Sequence, residues 1–174
     1  MYKKLWAVAL LSICLGGLTL PQANASALSS AMDKAIATIQ TNREDPLKEK
    51  LEQISLRFEN RLEILDNNMQ NGALSEEDVQ IIELLDETFP SLLKELTKTD
   101  DMQAIGNKLQ QASAQLAELL LNDPDFDHSE DTMQIATSLA QTLGVMYVMS
   151  NMDAEEGEEL FNKMFEYLQK TGSF

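Results

Sequence analysis

The 174-residue chain carries 13 Lys and Arg against 29 Asp and Glu, a formal charge of −16, with 44% hydrophobic and 6% aromatic residues, 7 Gly, 4 Pro, one Cys and one His. This excludes a disordered chain, a disulfide scaffold, a zinc ribbon and a collagen-like repeat, and the length suits one domain. Nucleic acid and anionic membranes are unsuitable partners, because their phosphates repel so acidic a protein.

Residues 1–25 are organised as a secretory signal. Lys3 and Lys4 supply the positive end, Leu5 to Leu20 an uncharged and mostly apolar run of 16 residues, Pro21 a stop, and Ala23-Asn24-Ala25 the small-x-small cleavage site. The run is shorter than the ~18–20 residues that span a bilayer. Cleavage is expected after Ala25, with a second possibility after Ala27. Cys14 follows Ile13 rather than a small residue, which argues against lipidation, and it leaves with the signal. The mature chain, Ser26–Phe174, would have 149 residues, 11 basic groups against 29 acidic ones and a net charge of −18. An exported bacterial protein is expected, periplasmic or secreted, without a stable membrane anchor after cleavage.

Apolar residues then recur at helical spacing, and no β-type alternation persists. Leu28, Met32, Ile36 and Ile39 form a first stripe. Asp45-Pro46 starts a second helix, with Asp as cap and Pro where its missing N–H costs nothing; its stripe is Leu47, Leu51, Ile54, Phe58, Leu62, Leu65 and Met69, and Gly72 closes it. Ser75-Glu76-Glu77-Asp78 has the form of a capping box and opens a helix bearing Val79, Ile82, Leu85 and Phe89. Pro90 is expected to interrupt it, with a short helix restarting at Ser91 and carrying Leu92, Leu93 and Leu96.

Thr99 or Asp100 should cap the next helix, whose stripe Met102, Ile105, Leu109, Ala112, Leu116 and Leu119 has coiled-coil spacing; Asn122-Asp123-Pro124 ends it. Asp127-x-x-Glu130 reads as another capping box before a helix from about Ser129 to Ser150. The half from Leu139 to Met149 is apolar on nearly every side, marking the most buried helix. Asp153-Ala154-Glu155-Glu156 caps the last helix, with Leu160, Phe161, Met164, Phe165 and Leu168, and Gly172 ends it. Short connections favour antiparallel neighbours. The expected fold is therefore all-α: an antiparallel bundle of five long helices plus one short helix around a single core, in one domain over residues 26–174.

Reactive constellations are scarce. Asp123, Asp125 and Asp127 between two helices have the alternation of a calcium loop, but the turn position that needs Gly is His128 and the twelfth position is Gln134. Carboxylates there also serve as helix N-terminal charges, each worth ~0.3–1 kcal/mol. Met146, Met149 and Met152 place three thioethers along one side of a helix, a pattern suited to Cu(I), although Met at such spacing also fills cores. With His128 as the single histidine, di-iron Glu-x-x-His pairs, HExxH zinc chemistry and three-histidine sites are excluded. Nucleotide-binding loops and a G-x-S-x-G elbow are missing as well. No catalytic residue is assigned and no cofactor is expected, with calcium or copper as the alternative.

Charge distribution is more informative. No Lys or Arg occurs between Leu109 and Asn162, and acids gather there in two groups: Asp123, Asp125, Asp127, Glu130 and Asp131, then Asp153, Glu155, Glu156, Glu158 and Glu159. They flank one helix about twenty residues long, so they form two poles roughly 30 Å apart. By contrast Lys48, Lys50, Arg57 and Arg61 sit among Glu49, Glu52, Glu59 and Glu63, which reads as i,i+4 pairing on a solvated face. The expected function is contact with another protein, a basic one suiting the charge, as an inhibitor or immunity protein, a chaperone-like protein or an envelope accessory. A homodimer through the Met102–Leu119 stripe is also compatible.

Overall fold

A computed structural model describes residues 45–170. The segment expected to be a signal, with Ala23 and Ala25, the Leu28–Ile39 stripe and Gly172 lie outside the described residues. Helices account for 86% of those described, with no strand among them, so the fold is all-α. They are α1 (Asp45–Asn71), α2 (Glu76–Glu83), a π turn (Leu84–Thr88), α3 (Phe89–Lys98), α4 (Met102–Leu121), α5 (Glu130–Asn151) and α6 (Ala154–Lys170).

Local chemistry explains most boundaries. After α1, Gly72 adopts φ +65°, a left-handed value that glycine takes without a Cβ penalty. The Ala73 N–H reaches the Asn68 carbonyl at 2.9 Å and the Gly72 N–H reaches Met69 at 3.3 Å, closing the helix as a Schellman motif. At α2 the capping box is complete: Ser75 Oγ accepts from the Asp78 N–H at 3.1 Å, and Asp78 Oδ2 accepts from the Ser75 N–H at 2.9 Å. Asp101, not Thr99 or Asp100, caps α4 by accepting from the Ala104 N–H, while Thr99 Oγ1 accepts from the Asp101 N–H. Before α5 the cap is Ser129, which accepts from Thr132; Asp127 instead braces that turn through the Ser129 N–H and the hydroxyls of Ser129 and Thr132.

Pro90 does not break the chain into two helices. α2, the π turn and α3 run without a gap from Glu76 to Lys98. Inside an α-helix a proline lacks one N–H and its ring collides with the carbonyl four residues back. One extra residue in the turn relieves that collision, and the Phe89 N–H reaches back to the Leu84 carbonyl across it. The buried stripe also differs from the one expected. Val79 is 41% exposed, whereas Ile81, Leu84, Leu85, Phe89, Leu93 and Leu96 are buried.

Every described helix contributes to the hydrophobic cluster, whose largest fully buried side chains include Phe58, Phe89, Leu116, Leu143 and Leu160. α4 and α5 pack on each other most extensively. Buried Ala112, Ser113 and Ala117 on α4, with Ala136, Ala140 and Gly144 on α5, keep little side-chain bulk there. Buried hydroxyls are satisfied locally, as Ser55, Ser113 and Thr142 donate to the carbonyls of Leu51, Leu109 and Ser138. The segment from Leu139 to Met149 is almost wholly buried, as its composition requires.

One buried charge ties α1 to α2. Asp78 is fully buried, its Oδ2 accepts from Asn68 Nδ2 at 2.8 Å, and its Oδ1 lies 2.7 Å from Arg61 Nη2. Burial pushes the carboxyl pKa up, but the Ser75 N–H, Asn68, Arg61 and the Ser75 hydroxyl together outweigh it and hold the pKa at about 2.

Removing one member of a buried pair strands the other, so Asp78→Ala should cost about 3–5 kcal/mol in denaturant unfolding. A pKa below the unfolded value of 3.8 contributes stability that is complete above that pH and lost as pH falls through about 2. The stability gap between the wild type and Asp78→Asn should therefore close on acidification across that interval; a constant gap would contradict the assignment. A Cβ at Gly144 would stand 2.5 Å from the Phe89 ring, whereas one at Gly106 meets nothing within 4 Å. Gly144→Ala should lower stability by about 1–3 kcal/mol and Gly106→Ala raise it by about 0.5–1 kcal/mol, measured as opposite shifts of the thermal midpoint.

Candidate functional site

Where the π turn, α3, the last turn of α5 and the start of α6 meet, they leave a cleft of about 550 Å³. Each wall follows from helical spacing. Pro90, Lys94 and Lys98 recur every four residues on α3, Tyr147 and Asn151 do so on α5, and Glu156 and Glu159 lie three apart on α6, so each set faces one way. Leu85 and Val148 are buried at its base, with half-buried Met152 beside them.

The π turn also positions a polar latch. Tyr147 donates its hydroxyl to Asp86 Oδ1 at 2.6 Å, joining α5 to that turn. Burial, and then the Asp86 carboxylate that accepts this hydrogen bond, push the Tyr147 pKa to about 12, so the phenol stays a donor at neutral pH. The Ser150 hydroxyl and Asn151 Nδ2 both donate to the Tyr147 carbonyl, satisfying the frayed end of α5. Lys94, Lys98, Glu156 and Glu159 are all exposed, and none of them forms an ion pair among the described residues.

The two acidic groups differ in their surroundings. At the first, Asp123 pairs with Arg57, Asp127 lies 3.8 Å from Lys50, and the Arg57 guanidinium stacks 4.4 Å from the Phe126 ring centre. The Asp125 N–H first, and then Arg57, hold the Asp123 carboxyl below the usual carboxylate range; the Ser129 N–H and the Thr132 and Ser129 hydroxyls do the same for Asp127. His128 Nε2 lies 3.0 Å from the Asp123 carbonyl oxygen and donates to it. Asp125, Glu130 and Asp131 are exposed. Lys50 and Arg57 thus reach the loop before α5, and Arg61 reaches Asp78 at the start of α2. At the second group, Asp153, Glu155, Glu156, Glu158 and Glu159 are exposed without an ion pair among the described residues, Asp153 accepting from the Glu156 N–H at 2.8 Å.

Among the described residues no group of three or more His, Cys, Asp or Glu side chains forms a cage for a metal ion, and a cation at Asp123 and Asp127 would compete with Arg57 and Lys50. In the methionine run, Met149 is buried in the core while Met146 and Met152 are half-buried against it. No described helix is long and apolar enough to cross a membrane. Comparison with protein-family models, curated proteins and solved structures yields no match.

The latch gives a spectroscopic prediction. In an absorbance titration Tyr147 should ionise near 12, apart from ordinary tyrosines near 10, and Tyr147→Phe should delete only the upper transition. Because the folded pKa is raised, the phenol's contribution to stability is complete below about 10 and is lost as pH rises through 12. A single transition near 10 in the native protein would contradict the latch.

Proposed function

We propose that this chain is an exported, non-catalytic helical protein that acts by binding another protein, with the first turns of α6 as its contact surface for a basic partner. The observation that carries this reading is the contrast between the two acidic groups. Arg57 and Lys50 occupy the first, so its charge is partly spent within the fold. The five carboxylates from Asp153 to Glu159 are exposed and form no ion pair among the described residues, although Lys94 and Lys98 share a cleft with two of them, Glu156 and Glu159. Unneutralised carboxylates at a protein end raise association rates with a positively charged partner and fix its orientation. An inhibitor or immunity protein acting on a basic toxin or enzyme fits this charge best among the interaction roles. Export rests on the Lys3–Ala25 segment alone.

Affinity capture from an envelope extract tests the reading when run beside a Glu155→Lys/Glu158→Lys variant. The wild type should retain a basic protein that is released as salt rises past ~0.15 M, where the screening length falls to about 8 Å; the variant should not retain it. Equal retention by both forms, or retention that salt does not alter, would overturn the proposal. Export is checked separately by the N-terminal residue of the cellular protein, expected at Ser26; a chain still starting at Met1 would remove that part.

A further inference from the structure

The cleft beside Tyr147 has walls of opposite sign. Lys94 and Lys98 stand on α3, Glu156 and Glu159 on α6, and apolar Leu85 and Val148 form the base between them. Lysines and glutamates lining one cleft ordinarily close into ion pairs when they can reach each other. Among the described residues none does here, so both signs remain available to a molecule placed between them. A phosphate or other anion would meet the lysines and also the glutamates, while a simple cation would meet the reverse. Only a ligand with both charges, separated by an apolar portion, is matched on every side.

We infer that this cleft binds a short zwitterionic peptide, its carboxylate directed to Lys94 and Lys98, its ammonium to Glu156 and Glu159, and an apolar side chain lying on Leu85 and Val148. A volume of about 550 Å³ lies within the ~300–1,000 Å³ of ordinary ligand pockets. The Tyr147–Asp86 hydrogen bond holds the rim before any ligand arrives, which lowers the ordering cost of binding. Asp86 spends one oxygen on that bond and keeps its charge, so it adds a third carboxylate to the lining, with Glu156 and Glu159 the two that stand across the cleft from the lysines.

This inference goes beyond the partner-binding proposal and fails separately from it. Lys94 and Lys98 lie outside the Asp153–Glu159 group, and Glu155 and Glu158 do not line the cleft. The probe is the tripeptide Ala-Leu-Ala with free ends, titrated at millimolar concentration into the full mature protein and followed by the methyl resonance of Met152 and the ring resonances of Tyr147. Saturable shifts are expected, and the same peptide acetylated and amidated at its ends should bind about tenfold or more weakly. Lys94→Ala/Lys98→Ala should weaken the free peptide by a similar factor, as should Glu156→Gln/Glu159→Gln. All four positions are exposed, so these variants leave the core intact. Absence of shifts, equal binding of the blocked peptide, or unchanged binding by either double variant would overturn the assignment.

Discussion

A proline within a helix removes one hydrogen bond and drives its ring into the preceding turn, and a chain that keeps going must absorb both effects. At Pro90 the absorption takes one extra residue, the π turn Leu84–Thr88, and the architecture around the cleft depends on it. With the insertion, Leu84 and Phe89 fall on the same buried side although they are five apart. Phe89 then packs against Gly144, where an added Cβ would stand 2.5 Å from its ring. The same turn leaves Asp86 outside the core and beside Tyr147. Core packing and the cleft rim therefore share one cause, the wider turn before a residue that cannot donate.

Electrostatics is the second organising constraint. A chain with 29 acids and 13 bases cannot neutralise itself everywhere, so the placement of its few cations decides which acids stay reactive toward other molecules. Here α1 carries most of that burden. Lys50, Arg57 and Arg61 reach Asp127, Asp123 and Asp78. These contacts fasten the loop before α5 and the start of α2 to α1, and the cation–π contact with Phe126 adds an apolar component to one of them. The consequence is an asymmetry between two acidic groups that look equivalent as strings of residues.

Much of the helical pattern was legible because its signals are local. The Ser75–Asp78 box, Gly72, the stop at Asn122-Asp123-Pro124 and the apolar run from Leu139 to Met149 act through bonds within a few residues, and each appears where the sequence placed it. The illegible parts depend on distant partners. Pro90 reads as a break because nothing nearby announces that the turn will widen. Lys50, Arg57 and Arg61 pair with acids far along the chain where i,i+4 partners were expected, yet the sequence carries a signal of it. Lys50, Arg57, Arg61 and Asn68 are spaced 7, 4 and 7 apart, the periodicity of the adjoining buried stripe, which puts them on one face beside the core. A polar stripe that keeps step with an apolar one points to a neighbouring element, and its partners are Asp78 at the start of α2 and Asp123 and Asp127 in the loop between α4 and α5. The cleft had no such signature, since its lining comes from two stretches, 85–98 and 147–159, that lie far apart in the chain and that only the tertiary fold brings together.

The two proposed contacts operate over different distances, and that difference makes them compatible. The field of a chain at −16 and of the exposed carboxylates on α6 extends about 8–10 Å at physiological salt, far enough to orient an approaching basic surface. Inside the cleft the lysines of α3 offset the glutamates of α6, so selection there depends on contacts at hydrogen-bond distance and changes little with salt. A segment delivered by a basic partner would meet these influences in sequence, first the outer carboxylates and then the two-signed walls. Free short peptides, nearly neutral overall, would bypass the first and respond only to the second. Salt dependence is thus the property that separates the two modes physically: steep for a macromolecular partner at the start of α6, shallow for a small zwitterion beside Tyr147.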